Sequence, residues 1–322
     1  MDGLVGAFLA FFACLLLHCT VLVRAAYEFA HMLRVPWLYR RLARGAVILC
    51  YHNVVTEAER EPRDPALHMD VHAFEVQMQW VCRNLQPVSL DALVNRIRYR
   101  EPTRDLVAVT FDDGYEGFFR FALPVLRSLD VPSTVFIVAD ASERTLPYWW
   151  DHPTLVQRAS PERRQQWLTG AQGLGSAILE MEGLRSPDGL PGELLPASWE
   201  TIRRSLGPDL GIGAHTSRHP ALPTLSAAEI QRELELGADR IEQRLGSRPR
   251  MLAYPYGAWT ARVRDATRAA GYEAAFTLDQ RRIPSRHADL FTLPRINVPA
   301  RITPAAFEAW ASGLLPPPRS GQ

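Results

Sequence analysis

The chain has 322 residues, a formal net charge of +1 at pH 7, 47% hydrophobic residues and 22% charged residues. This length suits a single α/β barrel, and the composition is that of a globular protein with enough apolar residues for a large core. A net charge near zero, without a dense basic run that also carries aromatic residues, gives no reason to expect a polyanion as partner. We therefore predict no binding to nucleic acid.

The first predicted element is an apolar segment at residues 3–23, GLVGAFLAFFACLLLHCTVLV, which contains no charged residue. A helix of about twenty apolar residues is long enough to cross a bilayer. A cleaved signal peptide is the alternative, but no basic residue precedes the segment, and the VRAAY that follows is a weak cleavage site. We predict that residues 1–44 form an uncleaved transmembrane anchor and a basic amphipathic connector, the latter over residues 27–44.

Basic residues follow the apolar segment and do not precede it. They are Arg24, Arg34, Arg40, Arg41 and Arg44. By the positive-inside tendency, this distribution would keep the domain that follows on the cytoplasmic side.

Short β-type runs alternate with helical patterns after residue 44. The predicted strands are 46–51, 106–111, 133–138, 210–215, 251–256, 274–278 and 293–298. The predicted helices are 72–84, 89–99, 117–129, 226–245, 258–270 and 303–313. The helix over 226–245 has the clearest signals, because Ser226 and Glu229 form a capping box and Gly246 is a stop signal. This alternation indicates parallel βαβ units, in an open sheet or a closed barrel.

Two regions depart from the alternation. Residues from about 153 to 206 are predicted to be an α-helical insertion that includes a loop rich in glycine and proline. Residues 314–322 are predicted to be a disordered tail. The main domain is thus predicted to span residues 45–313.

Residues with catalytic potential directly follow or end predicted strands. They are His52, Asp112, Asp113, His215 and Tyr256. The carboxyl ends of parallel strands gather at one edge of the fold, where active sites form. The aspartates stand in VTFDDGYEGF, residues 109–118, and an Asp-Asp-Gly sequence alone is equally consistent with a solvated turn. Their position immediately after a buried strand favours a site.

The segment HTSRHP, residues 215–220, places His215 and His219 four residues apart. One turn of helix would bring both imidazoles to one face, with the spacing at which two histidines bind one metal. Two ordinary surface histidines are the alternative. Two histidines and one aspartate leave open coordination positions, which is a catalytic arrangement. The second aspartate would then remain available to take a proton from water.

The pair TFDDGY, residues 110–115, and HTSRHP resembles the first two motifs of the polysaccharide deacetylases, the family-four carbohydrate esterases with a NodB-type domain. The resemblance covers about residues 45–300. It implies an α/β fold, a distorted (β/α)7-type barrel, and metal-dependent removal of N-acetyl groups from a glycan. It also implies Asp112 as the general base and Asp113, His215 and His219 as metal ligands. The expected metal is Zn²⁺, with Co²⁺ or Ni²⁺ as alternatives.

The third motif of that family has the form Arg-Pro-Pro-Tyr-Gly, whereas AYPYG at residues 253–257 has Ala253 at the arginine position. Arg295, in the predicted strand LPRINV, is predicted to orient the Asp112 carboxylate instead. A salt bridge on the barrel rim is the alternative for Arg295. The backbone N–H of Tyr256 is predicted to stabilise the oxyanion.

The segment CYHNV, residues 50–54, resembles the Tyr-His motif of an exopolysaccharide-associated subgroup that includes the poly-N-acetylglucosamine deacetylases. The resemblance implies that His52 is the general acid that protonates the leaving amine. A buried structural histidine is the alternative, and His287 is predicted to be solvated. In YWWDH, Trp149 and Trp150 can each stack on a sugar or anchor the insertion, and we expect one to do each.

These patterns predict a hydrolase of carbon–nitrogen amide bonds that acts on an N-acetylated glycan, bound to the membrane in a bacterial cell envelope, on a side left open. Two alternatives remain. A non-haem iron enzyme uses the same set of two histidines and one carboxylate, and metal content and oxygen dependence would distinguish it. A catalytically silent glycan-binding homologue is suggested by Ala253, and an assay of acetate release would distinguish it.

Overall fold

The computed structural model describes residues 23–43, 45–56, 64, 66–284 and 288–314. The predicted anchor lies outside these residues except for Val23, as do Arg44, His287 and residues 315–322. Within the described ranges, no helix combines the length and the apolar character needed to cross a bilayer. The transmembrane anchor therefore stays a prediction.

The chain divides into two compact units. One is residues 44–301, and the other combines residues up to 43 with residues from 302 onward. In the second unit, residues 23–32 are helical, and two further helices are described, α1 (Val35–Leu42) and α12 (Pro304–Ala311). Trp310 Nε1 donates to Tyr27 Oη at 2.9 Å, and His31 Nδ1 lies 2.6 Å from Glu308 Oε2. These contacts join the two terminal segments.

A sheet of parallel strands is the centre of the larger unit. In chain order the described strands are β1 (Val47–Tyr51), β2 (Asn53–Val55), β3 (His68–Asp70), β4 (Gln86–Pro87), β5 (Leu106–Phe111), β6 (Ser133–Ile137), β7 (Leu210–Ala214), β8 (Met251–Ala253), β9 (Ala274–Phe276) and β10 (Ile296–Asn297). The spatial order is β10-β1-β5-β6-β7-β8-β9, with β4 paired to β5, and β2 and β3 form a separate pair. All residues of β1, β5 and β6 are buried, as in parallel sheets covered on both faces.

The α/β class and the parallel sheet are thus confirmed, and each of the seven predicted strands corresponds to an observed one. The sheet is a half-barrel. Among the described residues, a single bridge between Phe276 and Leu293 links β9 to the segment that leads into β10. The predicted strand over 251–256 is shorter than expected, because Pro255 has no N–H for a ladder and residues Pro255–Gly257 form a 3-10 turn.

Helices surround this sheet. They are α2 (Val71–Asn84), α3 (Leu90–Arg98), α4 (Leu123–Ser128), α5 (Ala139–Arg144), α6 (Pro153–Arg158), α7 (Pro161–Gly170), α8 (Gly175–Met181), α9 (Trp199–Ser205), α10 (Ala227–Leu245) and α11 (Ala261–Ala269). A π-helical turn, Phe118–Ala122, precedes α4. The predicted capping box at Ser226 and Glu229 is present at the start of α10. Helices α6 to α9 occupy the region of the predicted insertion.

Two clusters of apolar side chains pack against the sheet, one in its interior and one at the carboxyl ends of its strands. Alternate residues of the strands, among them Ile48, Ala108, Phe136, Ala253 and Phe276, form the buried interior cluster, as the two-residue period of a strand requires. An aromatic cluster packs the insertion onto the carboxyl ends of β5 and β6. Its largest members are Tyr115, Tyr148, Trp149, Trp150 and Trp167. The polar side chains at the strand ends therefore lie beneath an aromatic wall.

Candidate active site

Asp113, His215 and His219 come together at the carboxyl ends of β5 and β7. Their ligand atoms all lie within 4.8 Å of one another, and all three residues are buried. Asp113 Oδ1 is 3.6 Å from His215 Nε2 and 3.5 Å from His219 Nε2. This Oδ1 has no hydrogen-bond partner among the described residues. The strand ends thus place one carboxylate and two imidazoles around a common point.

The backbone from His215 to His219 is not the helical turn that the four-residue spacing predicts. Thr216 and His219 have φ of 67° and 62°, and the segment is a loop. Thr216 Oγ1 accepts a hydrogen bond from the His219 N–H at 3.0 Å, and Pro220 follows directly. Left-handed backbone at two non-glycine residues is held in place by its surroundings, and such positions concentrate at functional sites.

The orientation of His215 favours metal binding. Its Nδ1 lies 2.8 Å from the Ala253 carbonyl oxygen, which only accepts, so Nδ1 carries the proton and Nε2 presents a lone pair towards Asp113. Burial lowers the pKa of both imidazoles, and a proton on His215 would lower the pKa of His219 further. Both imidazoles are therefore neutral, which is the form that binds a metal. With the unpaired Oδ1 of Asp113, this donor set fits a divalent cation that accepts nitrogen and oxygen ligands.

Asp112 is paired with Arg295, which directly precedes β10. The guanidinium donates to both carboxylate oxygens, Nη1 to Oδ1 at 2.6 Å and Nη2 to Oδ2 at 2.7 Å. Arg295 is fully buried and also donates to Thr110 Oγ1 and the Thr277 carbonyl, each at 3.3 Å. Burial alone would raise the pKa of Asp112, but the charge and hydrogen bonds of Arg295, together with the nearby His215 and His52, outweigh burial and hold that pKa well below its usual range. Asp112 is thus an ionised carboxylate at neutral pH.

His52 lies beside this carboxylate at the end of β1. Side-chain atoms of Cys50, His52 and Asp112 fall within 4.8 Å of one another, and Cys50 Sγ is 3.5 Å from Asp112 Oδ2. Burial lowers the pKa of His52 to about 4, although the charge of Asp112 opposes the shift. The imidazole is therefore neutral at neutral pH. A general acid at this position must first gain a proton within the catalytic cycle.

A cavity of about 200 Å³ collects these side chains. It is lined by His52, Asp64, Ala66, Leu67, Asp112, Asp113, Trp149, Trp150, Arg164, His215, His219, Tyr256, Leu278 and Asn297. Eight of the nine predicted site residues are in this lining, and the ninth, Arg295, lies behind Asp112. Aromatic and aliphatic side chains line the cavity beside the histidines and carboxylates, and the rings of Trp150 and Tyr256 contact that of His219, a combination typical of pockets for small ligands.

Both tryptophans line the cavity, and both are also packed. Trp150 Nε1 donates to Tyr115 Oη at 2.7 Å, and Trp149 Nε1 donates to Tyr256 Oη at 3.4 Å. Tyr256 has φ of 60°, and its hydroxyl donates to the Gly173 carbonyl at 2.9 Å. The expected division of one cavity residue and one anchor is therefore not observed. The oxyanion role of the Tyr256 N–H stays a prediction.

A buried hydrogen-bond chain behind the cavity was not predicted. Asp151 Oδ2 accepts from Tyr115 Oη at 2.6 Å, and Asp151 Oδ1 lies 2.6 Å from His68 Nε2. His68 Nδ1 is 3.1 Å from Asn53 Nδ2. The chain thus connects β2 and β3, next to His52, with the wall that contains Trp150. The sequence signal from which this chain could have been predicted is Asp151, a charged residue that directly follows Trp149 and Trp150.

Comparisons with known proteins agree with this geometry. A family model described as polysaccharide deacetylase matches residues 99–275, more than half of the chain. The poly-beta-1,6-N-acetyl-D-glucosamine N-deacetylase of Escherichia coli K12 is 24% identical over 277 residues, which cover 81% of this chain. The chain spans 37% of the length of that relative.

Two solved structures share the fold. The Streptococcus pyogenes deacetylase PplD in complex with acetate is 17% identical with a TM-score of 0.60, over 84% of this chain and 99% of that one. IcaB from Ammonifex degensii is 22% identical with a TM-score of 0.58, over 84% of this chain and 98% of that one.

Proposed function

The chain belongs to the polysaccharide deacetylase family, and we propose that it is a metal-dependent hydrolase that removes N-acetyl groups from a glycan of N-acetylglucosamine. One observation carries the proposal. The donor set of Asp113, His215 and His219 shares an aromatic-walled cavity with an ionised carboxylate, Asp112, that is held by a buried arginine. Attack of water on an amide needs both an electrophilic centre and a base in one cavity.

The chain's own residues supply the proton transfers. A divalent metal held by Asp113, His215 and His219 would supply Lewis-acid polarisation of the acetyl carbonyl. Asp112 takes the proton of the attacking water, and Arg295 fixes the direction in which its oxygens point. Trp149 and Trp150 confine the acetylated sugar in the cavity.

His52 completes the cycle by delivering a proton to the departing amine. Because its imidazole starts neutral, this proton must come from the water, by way of the neighbouring Asp112 carboxylate. Transfer from Asp112 to His52 leaves both groups in their starting ionisation states once the amine is released. Acetate and an amino sugar are the products.

The finer assignments follow the relatives. We infer β-1,6-linked N-acetylglucosamine as the glycan, because the Escherichia coli relative carries that substrate in its name. We infer Zn²⁺ as the metal, since two imidazoles and one carboxylate with an open position form a donor set typical of catalytic zinc.

Removal and return of the metal tests the proposal. We expect a chelator to abolish acetate release from β-1,6-linked N-acetylglucosamine oligomers, and Zn²⁺ to restore it in stoichiometric amounts. The assay measures acetate in air and under anaerobic conditions. Activity that survives complete metal removal would contradict the proposal. Activity that requires oxygen would favour the iron enzyme, and oligomer binding without acetate release would favour the silent homologue.

We also propose attachment to the membrane of a bacterial cell envelope, through the apolar residues 3–23 and the amphipathic segment that follows. Large apolar side chains of the described segment are exposed, namely Phe29, Met32, Leu33, Trp37, Leu38 and Leu42. Arginines interleave with them, a combination that favours an anionic lipid surface.

Flotation of the full-length chain with phosphatidylglycerol vesicles tests the attachment. We expect the protein to remain with the vesicles in high salt, because apolar insertion resists ionic screening. Recovery in the soluble fraction at low salt would contradict it.

A further inference from the structure

The loop that carries the two histidines is held by contacts from outside the loop. Residues 216–218 separate His215 from His219, and Thr216 and His219 have left-handed backbone. Backbone of this kind at non-glycine residues persists only where the surrounding structure holds it. The contacts of residues 216–218 with neighbouring elements therefore determine where the imidazole of His219 lies.

Glu233, on the buried face of helix α10, holds the residue that directly precedes His219. Its Oε2 accepts a hydrogen bond from the backbone N–H of Arg218 at 2.9 Å, and its Oε1 accepts from Arg218 Nε at 2.6 Å. The Glu233 side chain is 1% exposed, whereas that of Arg218 is 51% exposed. A buried carboxylate needs such partners to compensate for its lost hydration, so Glu233 fixes both the backbone and the side chain of Arg218.

Gly237, one turn further along α10, lets the helix approach the backbone of the loop. A Cβ atom at this position would lie 2.8 Å from the Thr216 carbonyl carbon and 3.0 Å from the Ser217 nitrogen. These are backbone atoms, which cannot rotate away as the end of a flexible side chain can. Any larger residue at position 237 must therefore displace the helix or the loop between the two histidines.

The start of helix α5 fixes the other side of the loop. The Ala139 N–H donates to the Thr216 carbonyl at 3.2 Å, and the Asp140 N–H donates to the Ser217 carbonyl at 2.9 Å. Ser217 Oγ also donates to Asp140 Oδ1 at 3.0 Å. Each residue between the histidines thus has a partner outside the loop, and the partner nearest in sequence to His219 is supplied by α10.

We propose that Glu233 and Gly237 are positioning residues of the metal site, through which α10 keeps His219 close to Asp113 and His215. The inference rests on the proposed function, because it concerns the same metal. Neither residue lines the catalytic cavity or belongs to the donor set. They restrict the loop before the metal arrives, so less conformational entropy is lost on binding. Partners that orient metal ligands typically contribute about 10–100-fold to metal affinity.

Glu233→Ala and Glu235→Ala form a matched pair on α10. Glu235 lies roughly 200° around the helix from Glu233 and accepts a hydrogen bond from Gln231 Nε2. We expect Glu233→Ala to weaken Zn²⁺ binding by at least about tenfold and Glu235→Ala to leave it unchanged. Competition with a chromophoric chelator measures the Zn²⁺ dissociation constant of each folded, metal-free variant. Denaturant unfolding of the same samples measures stability separately.

Gly237→Ala gives a second test in which two roles predict opposite results. Alanine is a better helix former than glycine, so a purely helical role predicts a more stable metal-free protein with unchanged Zn²⁺ affinity. Contact with the loop backbone predicts about tenfold weaker Zn²⁺ binding instead.

Glu233→Gln keeps the inference testable if Glu233→Ala does not fold. Glutamine has nearly the same shape, but its amide cannot accept from both the N–H and the Nε of Arg218. We expect weaker Zn²⁺ binding than in the wild type. Unchanged Zn²⁺ affinity in the folded variants at positions 233 and 237, even with lowered stability, would overturn the inference, as would an equal loss in Glu235→Ala.

Failure of the proposed function is a different result. A wild type that binds Zn²⁺ but releases no acetate would contradict the proposed function, and the comparison of Zn²⁺ affinities would still decide the inference. A wild type that binds no Zn²⁺ would contradict both.

Discussion

Replacement of Asp112 by asparagine is expected to lower the rate of acetate release by about 10²–10⁴-fold, the range that a positioned general base contributes. Asparagine has nearly the same shape but cannot take a proton at working pH. The metal ligands are untouched, so metal content should stay at the wild-type level. The measurements are the initial rate of acetate release and the bound metal per chain.

Asp113→Asn is the matched control for this variant, because it changes the neighbouring carboxylate in the same way. We expect Asp113→Asn to lose metal as well as activity, since Oδ1 of Asp113 faces both histidines. Retention of more than a tenth of wild-type activity in Asp112→Asn would contradict the assignment of Asp112 as base. If Asp112→Asn lost its metal, Asp112 would be a metal ligand and not the base.

Replacement of Arg295 by methionine is expected to destabilise the metal-free protein by about 3–5 kcal/mol, because it leaves a buried carboxylate without its partner. The Asp112–Arg295 pair is buried on both sides, and the guanidinium donates to both oxygens of Asp112. Denaturant unfolding of the metal-free form measures the free energy without a contribution from metal binding.

The destabilisation should depend on pH with a defined sign. In the wild type the pKa of Asp112 is below its unfolded value, so its stabilising contribution is present above about pH 4 and is lost as pH falls further. Without Arg295, burial dominates and raises that pKa above the unfolded value. Stability of Arg295→Met is then lost as pH rises above about 4. We expect the stability difference from wild type to be larger at pH 8 than at pH 4.

The double variant Asp112→Asn/Arg295→Met provides the control. Both charges are absent from it, so it should be more stable than Arg295→Met at pH 8. A destabilisation by Arg295→Met that is the same at both pH values, or that persists in the double variant, would show that the arginine contributes through packing alone.

Much of the catalytic side of the site could be predicted from local sequence. Asp112, Asp113 and His215 each follow a strand with a strong apolar run, and the backbone N–H groups of Asp112 and His215 continue the ladders by donating to Tyr51 and Ile137 carbonyls. Local patterns of this kind determine where a strand ends and therefore which side chains reach the edge of the sheet.

The sequence predicts the contact of Arg295 with Asp112 but leaves a salt bridge on the barrel rim as the alternative, and the fold decides between the two. At Ala253, where the family motif has an arginine, the chain contributes only a backbone carbonyl that orients His215. The guanidinium comes from a residue 183 positions after Asp112 in the chain. A sequence places such a residue near the sheet edge, but the pairing of its side chain depends on how strands from both ends of the chain pack.

Two features of the site could not be predicted from the sequence, because they depend on long-range contacts that leave no periodic pattern. Thr216 and His219 adopt left-handed backbone that their residue types do not favour, so the loop between the two histidines was mistaken for a helical turn. The chain of Asn53, His68, Asp151 and Tyr115 joins four separate segments through single hydrogen bonds. Neither feature leaves a pattern of apolar spacing in the sequence.

We propose that the cavity of Asp112, Asp113, His215 and His219 hydrolyses an N-acetyl amide. The most direct test incubates the Zn²⁺-loaded protein with a β-1,6-linked N-acetylglucosamine pentamer and quantifies acetate and free amine in the same sample. We expect the two products to appear in equal amounts and to be absent with Asp112→Asn. Acetate without new amine, or neither product from fully metal-loaded protein, would contradict the claim.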